Sequence, residues 1–408
     1  MRGLAVLFMF VLHTAHGWLA PATKGTAGWV WITGFGGMAA PLFFLLAGAG
    51  VGLQWHATGG GGGRLSAALG RGLSLVVLGY ALRVQMWLID GGALYQPRKL
   101  PAAGTLVAAY VLAYLACERL AQGQPPRIGR VAAAGLLFGA GLWGVSVVEP
   151  GKLEGLLRVD VLQGIGAALI VLHLLTHRLG GPWRRAAVAG ALAPLAALAT
   201  YWAREALPGP FPPPVAAYVA QWPVAAAERP AGMFPLLPWL AYAGVGAVLG
   251  VYWADAQARG KLLGRVVGLS MLGVVLALCT RETSPAVYAL INDLPPVVHP
   301  VRVAYRVGIC LALSGVAMAL CHRLSPLRRP LATLGSASLV VYWVHLEFAF
   351  GAAATPIRRQ IGFGAWWAGL ATLTLAMWLV AVLWPRLRRY WRAQTRPSAA
   401  AHSSDFGS

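Results

Sequence analysis

The sequence predicts an all-α fold, a polytopic bundle of about twelve transmembrane helices with both termini in the cytoplasm. Of the 408 residues, 58% are hydrophobic and only 11% are charged, whereas soluble domains carry about a quarter charged residues. The mean hydropathy is +0.65. The apolar residues also form runs of roughly 16 to 25, the length that a helix needs to cross a hydrocarbon layer about 30 Å thick. An integral membrane protein is therefore predicted.

Twelve such runs follow one another along the chain, separated by short polar connections. The predicted spans are 3–20, 28–54, 70–89, 102–117, 131–148, 159–176, 186–203, 235–253, 264–280, 304–321, 332–350 and 365–385. No connection is long enough to fold alone, so residues 1–396 are predicted to form one membrane domain. Residues 397–408 are small and polar, which predicts a disordered cytoplasmic tail.

The distribution of basic residues predicts the orientation of the bundle. The formal net charge is +21, from 33 Lys and Arg and 12 Asp and Glu. With a cytoplasmic N-terminus, 20 of the 33 basic residues fall on that side, 11 in the opposite loops and two, Arg83 and Arg306, inside helices. Lys and Arg are enriched in cytoplasmic loops, so both termini are predicted there. The excess is a topology signal that also attracts anionic lipid, and it predicts no nucleic-acid partner. The expected location is the plasma membrane or a bacterial inner membrane.

Neither a disulfide framework nor a metal centre is predicted. The chain has four cysteines, Cys117, Cys279, Cys310 and Cys321, without the paired spacing of either kind of site. A basic residue before an apolar run would also fit a secretory signal. Two histidines within that run and eleven further spans favour a retained first helix.

Polar and ionisable side chains inside the predicted spans or at their ends concentrate in the extracytoplasmic half. Such groups are costly in a bilayer and usually face the bundle interior or a wet cavity. The outer halves contain His13, His16, Arg83, Asp90, Asp160, Gln163, Arg302, Arg306, His345 and Glu347. The inner halves contain few, at the very ends of helices. This asymmetry predicts a polar cavity in the outer half of the bundle.

Several of these groups share a helix face. Arg2 and His13 are about 20° out of alignment and about 16 Å apart along the first helix. Ser338, Tyr342 and His345 form a second stripe, and Arg302 and Arg306 form a third, one turn apart. Each also has an ordinary explanation: a histidine can bridge helices, Arg2 can be a topological anchor, and outer arginines can extend to the interface.

Several segments resemble a family of membrane enzymes. The opening RGLAVLFMFVLHTAH and the following GFGGMAAPLFFLLAGAGVGL resemble the start of the polytopic membrane acyltransferases related to heparan-α-glucosaminide N-acetyltransferase. The broader type-3 membrane acyltransferases share a basic residue and a histidine at the spacing of Arg2 and His13. RVDVLQGIG at 158–166, FPLLPWLAYAGVGAVLG at 234–250 and LGSASLVVYWVH at 334–345 are similar to the same group. Family members usually have a few residues before the Arg-Gly pair, which favours a start upstream of Met1.

The resemblance implies transfer of an acyl group, in the first place acetyl, from cytoplasmic acyl-CoA to an amine or hydroxyl of an extracytoplasmic or envelope glycan. His13 would act as general base or as covalent carrier, because its pKa lies near neutrality. Arg2, Asp160 and His345 complete the expected catalytic set, with Asp160 orienting a histidine or balancing an arginine. Acyl-CoA is the expected co-substrate. The expected substrate-binding residues, some of them donors to a developing oxyanion, are His16, Arg83, Gln163, Arg306 and Tyr342.

A non-enzymatic transporter or flippase of a glycan or lipid-linked substrate is the alternative, since buried charges also suit substrate passage. The one-sided depth of the polar groups disfavours it. So does the lack of an internal repeat and of obvious Gly- or Pro-interrupted helix pairs in the sequence. A structural scaffold is the third possibility.

Overall fold

The computed structural model describes residues 1–59, 65–89, 96–206, 218–219, 233–290, 299–323 and 325–394. Within these ranges the chain is helical and has no strand beyond a single bridge between Leu19 and Ile361. The helices are α1 (Arg2–Trp18), α2 (Ala27–Gly36), α3 (Ala39–Ala57), α4 (Leu65–Ile89), α5 (Leu100–Ala121), α6 (Ile128–Val148), α7 (Leu153–Leu157), α8 (Val161–Thr176), α9 (Pro182–Ala206), α10 (Leu236–Ala258), α11 (Leu262–Leu290), α12 (Pro300–Arg323), α13 (Ser325–Ser336), α14 (Ser338–Phe350) and α15 (Phe363–Gln394).

The all-α membrane fold is confirmed in its coarse form. In the described ranges, eight helical stretches are long and apolar enough to cross a membrane, with α2 and α3 together forming one of them. The bent pair α13–α14 would make a ninth. Helices α1 and α8, of 17 and 16 residues, are shorter than a usual crossing of about 20, and α9 is not among the eight. The count of about twelve spans and the sidedness of the termini stay predictions.

Asp90 and the predicted tail lie outside the described residues.

Two predicted spans are interrupted. The predicted span 332–350 is wrong as a continuous helix, because α13 and α14 meet at an angle of 83°. Ala337, at the junction, has the non-helical angles φ −101° and ψ 16°. In the predicted span 28–54, α2 ends at Gly36 and α3 begins at Ala39. Sequence hydropathy cannot detect such breaks, because both sides of each break are apolar.

Helix α1 packs against both halves of the bent pair. A side chain at Gly3 would collide with the carbonyl of Leu331 in α13, and one at Gly17 would collide with the carbonyl of Ala349 in α14. Glycine at these two positions allows the backbones to approach closely, as is common between membrane helices. The bend is thus matched to the two ends of α1.

The centre of the bundle is the pair α3–α10. Gly48 and Gly52 of α3 lie directly against the backbone of α10, and Gly246 and Gly250 of α10 lie against α3. About 67% of the apolar stretch of α10 is buried, against 11% in α11. Helix α11 therefore belongs to the periphery, paired with α12, as α6 does with α5 on the other flank.

Candidate functional site

Three contacts fix the rotation of α1 and direct His13 toward α14. The indole Nε1 of Trp366 in α15 donates a hydrogen bond to Thr14 Oγ1 at 3.0 Å. Trp18 Nε1 donates to the carbonyl of Phe348 at 2.9 Å, and Gly17 lies against Ala349. With Thr14 and Trp18 held in this way, the face of α1 that carries His13 meets the face of α14 that carries His345.

His13 and His345 form a hydrogen-bonded pair whose nearly parallel rings meet edge to edge. His13 Nδ1 lies 2.7 Å from His345 Nε2, and the rings are parallel within 7° with centroids 5.0 Å apart. His345 Nδ1 lies 3.1 Å from the carbonyl oxygen of Val341.

These distances determine the tautomers of the neutral pair. A carbonyl can only accept, so the proton of His345 is on Nδ1, and its Nε2 is an acceptor. His13 must then donate from Nδ1, which leaves the lone pair on His13 Nε2 available. A histidine whose one nitrogen is fixed by a hydrogen bond presents the other as base, ligand or nucleophile.

Aromatic side chains enclose the pair. The Phe10 ring lies 5.3 Å from His345 and the Phe350 ring 5.6 Å from His13, measured between centroids. Tyr342 lies 6.4 Å from His13 and 5.6 Å from His345. His345 is completely buried. Exclusion of water strengthens electrostatic interactions at such a site.

His13 lines a cavity of about 350 Å³, called the His13 cavity below. Asp160, Arg306 and Tyr342 line the same cavity, and His345 is joined to it through His13. The structure thus brings together one residue from each of α1, α12 and α14 with the residue that precedes α8, as the polar stripes predict. Their catalytic roles stay predictions.

The beginnings of three helices also open onto this cavity. Ala39 and Ala40 start α3, Val161 starts α8, and Phe234 lies two residues before α10. Helix N-termini carry partial positive charge and unpaired N–H groups. The cavity therefore lies in a field that favours negative charge.

Asp160 is held in place by its neighbours. It caps α8, accepting a hydrogen bond from Val161 N–H at 2.8 Å, while its own N–H donates to Gln163 Oε1 at 3.2 Å. Arg83 Nη1 lies 3.5 Å from Asp160 Oδ2. The same guanidinium donates twice to the carbonyl of Gly155, at 2.8 and 2.6 Å. Arg83 and Gln163 thus shape the wall through Asp160 and do not line the cavity themselves.

The structure separates Arg2 and His16 from the His13 cavity. Arg2 lines a second cavity, of about 310 Å³, at the opposite end of α1 together with Arg328 and Gly335 of α13. His16 is exposed, with Nδ1 2.9 Å from the carbonyl of Leu12 and its ring edge-on to Trp29 at 5.2 Å. His16 does not line the His13 cavity, because the 60° between the two histidines turns His16 toward α2. Its expected role in substrate binding stays a prediction.

Sequence reasoning did not single out three residues that the structure places in the two cavities. Arg158 and Trp239 line the His13 cavity, and Arg328 lines the second. The signal for Arg158 was its position two residues before Asp160 at the same helix start. Nothing in the sequence distinguishes Trp239 from the other apolar residues of α10, or Arg328 from the topological arginines around it.

Comparisons with protein-family models, with curated proteins and with solved structures found no match to this chain.

Proposed function

We propose that this protein is a membrane-bound acyltransferase that moves an acyl group, in the first place acetyl, from cytoplasmic acyl-CoA to a sugar amine or hydroxyl on the other side of the membrane. The observation that supports this most is the chain of hydrogen bonds from Val341 through His345 to His13. It leaves the lone pair of His13 Nε2 available, and His13 lines a cavity of about 350 Å³.

Such a nitrogen suits both routes of acyl transfer. In direct transfer, His13 Nε2 takes the proton of the acceptor, whose oxygen or nitrogen attacks the thioester carbon. The C–S bond then breaks, and the CoA thiolate leaves and takes that proton from His13 Nε2. In the covalent route, Nε2 itself attacks the thioester carbon, the C–S bond breaks and the CoA thiolate leaves. The acceptor then attacks the acyl carbon, the C–N bond to Nε2 breaks, and the proton that the acceptor loses passes to the CoA thiolate or to solvent. In both routes His345 accepts a hydrogen bond from the Nδ1–H of His13 as positive charge develops on that ring.

The developing oxyanion would be stabilised by groups that already create positive potential. Arg306 and the starts of α3 and α10 border the same cavity as His13, and fixed donors of this kind often contribute more to catalysis than any other single effect. Tyr342 supplies a hydroxyl to the same wall.

The donor would be held at the other end of α1. The second cavity contains Arg2 and Arg328, and guanidinium groups bind phosphate in fixed, charge-assisted geometry. In the proposed orientation this end faces the cytoplasm. The pantetheine arm would then run along α1 over the about 16 Å that separate Arg2 from His13.

The test is incubation of the purified full-length protein, in detergent, with acetyl-CoA radiolabelled in the acetyl group. We expect release of free CoA and transfer of label to added glucosamine or to water, both absent in His13→Ala. Label on the protein without acceptor would identify the covalent route, and its absence during turnover the direct one. A parent protein that releases no more CoA than His13→Ala with any acceptor would refute the proposal.

A transporter or flippase is the second candidate, and one observation favours it. The 83° break between α13 and α14 lies in the same bent pair that carries His345, and interrupted helices commonly surround the substrate in transporters. Uptake of radiolabelled glycan by proteoliposomes without acyl-CoA would support this candidate, whereas strict dependence on acyl-CoA would exclude it.

A further inference from the structure

Arg306 lines the His13 cavity without a described carboxylate partner. None of the ion pairs among the described residues includes Arg306. Asp160, the acidic residue that lines the cavity, is already engaged by Arg83 at 3.5 Å. A half-buried cation inside a membrane bundle is costly unless a counter-ion accompanies it.

The surrounding backbone adds to the positive potential instead of neutralising it. The helix starts at Ala39 and Leu236 have no side-chain hydrogen bond at the cap position. Arg158 adds a second guanidinium to the wall. An oxyanion is the ligand that matches a guanidinium together with helix N-termini.

A second arginine, Arg302, lies on one side of Arg306. Arg302 is exposed and lies one turn nearer the start of α12, about 6 Å away along the axis. The starts of α8 and α10 border the same cavity. In the proposed orientation this is the extracytoplasmic end, so an anion guided by Arg302 enters from the side of the acceptor.

We infer that the acceptor carries an oxyanion group, a carboxylate or a phosphate, which binds the Arg306 guanidinium. Its sugar ring then packs against the aromatic wall formed by Trp239 and Phe234, whose rings lie 4.7 Å apart, and its nucleophilic amine or hydroxyl reaches His13 Nε2. The inference rests on the proposed function for the identity of the ligand as acceptor. The same chemistry could also come from the diphosphate of CoA, so the experiment separates the two sources.

The experiment measures equilibrium binding of four probes to the full-length protein in nanodiscs at low ionic strength: glucose, glucuronic acid, glucose 6-phosphate and CoA. We expect each acidic sugar to bind at least about ten times more tightly than glucose, the usual size of a charge-assisted hydrogen bond. Arg306→Gln should abolish this preference, and Arg306→Lys should retain part of it. Arg281→Gln, a change at an exposed arginine in the peripheral helix α11, should leave it unchanged. Equal thermal midpoints and elution profiles show that the variants are folded.

Two results would overturn the inference: equal affinities for the three sugars, or a preference that survives Arg306→Gln. If instead Arg306→Gln weakens the binding of CoA only, the oxyanion that Arg306 binds is part of the donor, and the assignment to the acceptor is wrong. Failure of the proposed function would look different. An Arg306-dependent preference for acidic sugars without any acetyl transfer would refute the acyltransferase and support an oxyanion-binding transporter.

Discussion

Two polar clusters at the same predicted face of the bundle differ in whether their charges are satisfied. The first is the His13 cavity. The second, here called the Glu149 cluster, consists of Trp87, Arg98, Lys99 and Glu149 at the ends of α4, α5 and α6. Glu149 accepts a hydrogen bond from Trp87 Nε1 at 2.7 Å and lies 3.2 Å from Lys99 Nζ and 3.7 Å from Arg98 Nη2. Lys99 also donates to the carbonyl of Trp87 at 3.3 Å and lies over its ring at 5.3 Å.

The difference teaches how to separate structural from functional charge in a membrane protein. In the Glu149 cluster each described group has its partner, and the cluster joins three helices. In the His13 cavity Arg306 has no described counter-ion, His13 has an available lone pair, and the groups surround a space of about 350 Å³. Ionisable groups near the bilayer are functional candidates by default. Because the charges of the Glu149 cluster have partners and Arg306 has none described, the His13 cavity is the better candidate for a functional site.

The largest expected effect is that of His13→Ala. It removes the group proposed to take the acceptor proton or to carry the acyl group, so acyl transfer should fall by about 10³-fold or more. Membrane insertion and protein level should match the parent, and the thermal midpoint should fall only slightly, because the lost hydrogen bond to buried His345 is the main structural change. His16→Ala is the matched control and should change turnover by less than about threefold. Turnover of His13→Ala within about tenfold of the parent would remove His13 as base or nucleophile, and His345 would be the next residue to test.

The second effect concerns the positioning role of His345. His345→Phe removes the acceptor for His13 Nδ1–H, so the reactive tautomer is no longer enforced, and kcat should fall by about 10²-fold with the KM of both substrates unchanged. His345→Gln can accept the same hydrogen bond through its amide oxygen and should recover most of this loss. If Phe and Gln variants were equally active, the hydrogen-bond chain would not matter for catalysis.

A smaller effect is expected at the far end of α1. Arg2→Gln should raise the KM for acyl-CoA by about tenfold and leave kcat within about twofold. A charge-assisted contact to phosphate is lost, whereas the groups proposed for the chemical step are unchanged. Arg329→Gln is the control, since Arg329 is exposed and does not line the second cavity. A fall in kcat without a change in KM would instead place Arg2 in the chemical step.

The smallest effect is expected in the Glu149 cluster, and it concerns stability. Burial alone would raise the pKa of Glu149, but hydrogen bonds from Trp87 and Lys99 outweigh it, and the pKa is lowered. Ionised Glu149 therefore stabilises the folded state above its unfolded pKa of about 4.3. That contribution is lost as pH falls through the lower folded pKa.

Glu149→Gln should accordingly reduce the free energy of unfolding at neutral pH by about 1 kcal/mol or less, because solvent screens the cluster. The difference from the parent should begin to shrink in thermal scans as pH falls through about 4.3 and disappear only below the lowered pKa of folded Glu149. Acyl transfer per folded molecule should stay at the parent level. A variant that loses activity but not stability would reverse the distinction between the two clusters.

The sequence by itself determined the helical class, the membrane environment and most helix positions. Apolar runs of sufficient length are a local property of the chain, and water or lipid acts on each run separately. The sequence also predicted that His13, Asp160, Arg306 and His345 share one half of the bundle, since position within an apolar run predicts depth. The sequence therefore predicted a polar cavity in one half of the bundle.

Only the tertiary structure decided which of these groups meet. Arg2 and His13 share a face of α1, yet they line different cavities, because α13 covers one end of the helix and α14 the other. His16 is one turn from His13 and faces Trp29 instead. Arg158 and Trp239 entered the cavity wall, and Arg83 became the partner of Asp160. Contacts between helices depend on rotation about each axis and on close approach at glycines such as Gly3 and Gly17, and neither is encoded in the hydropathy of a single helix.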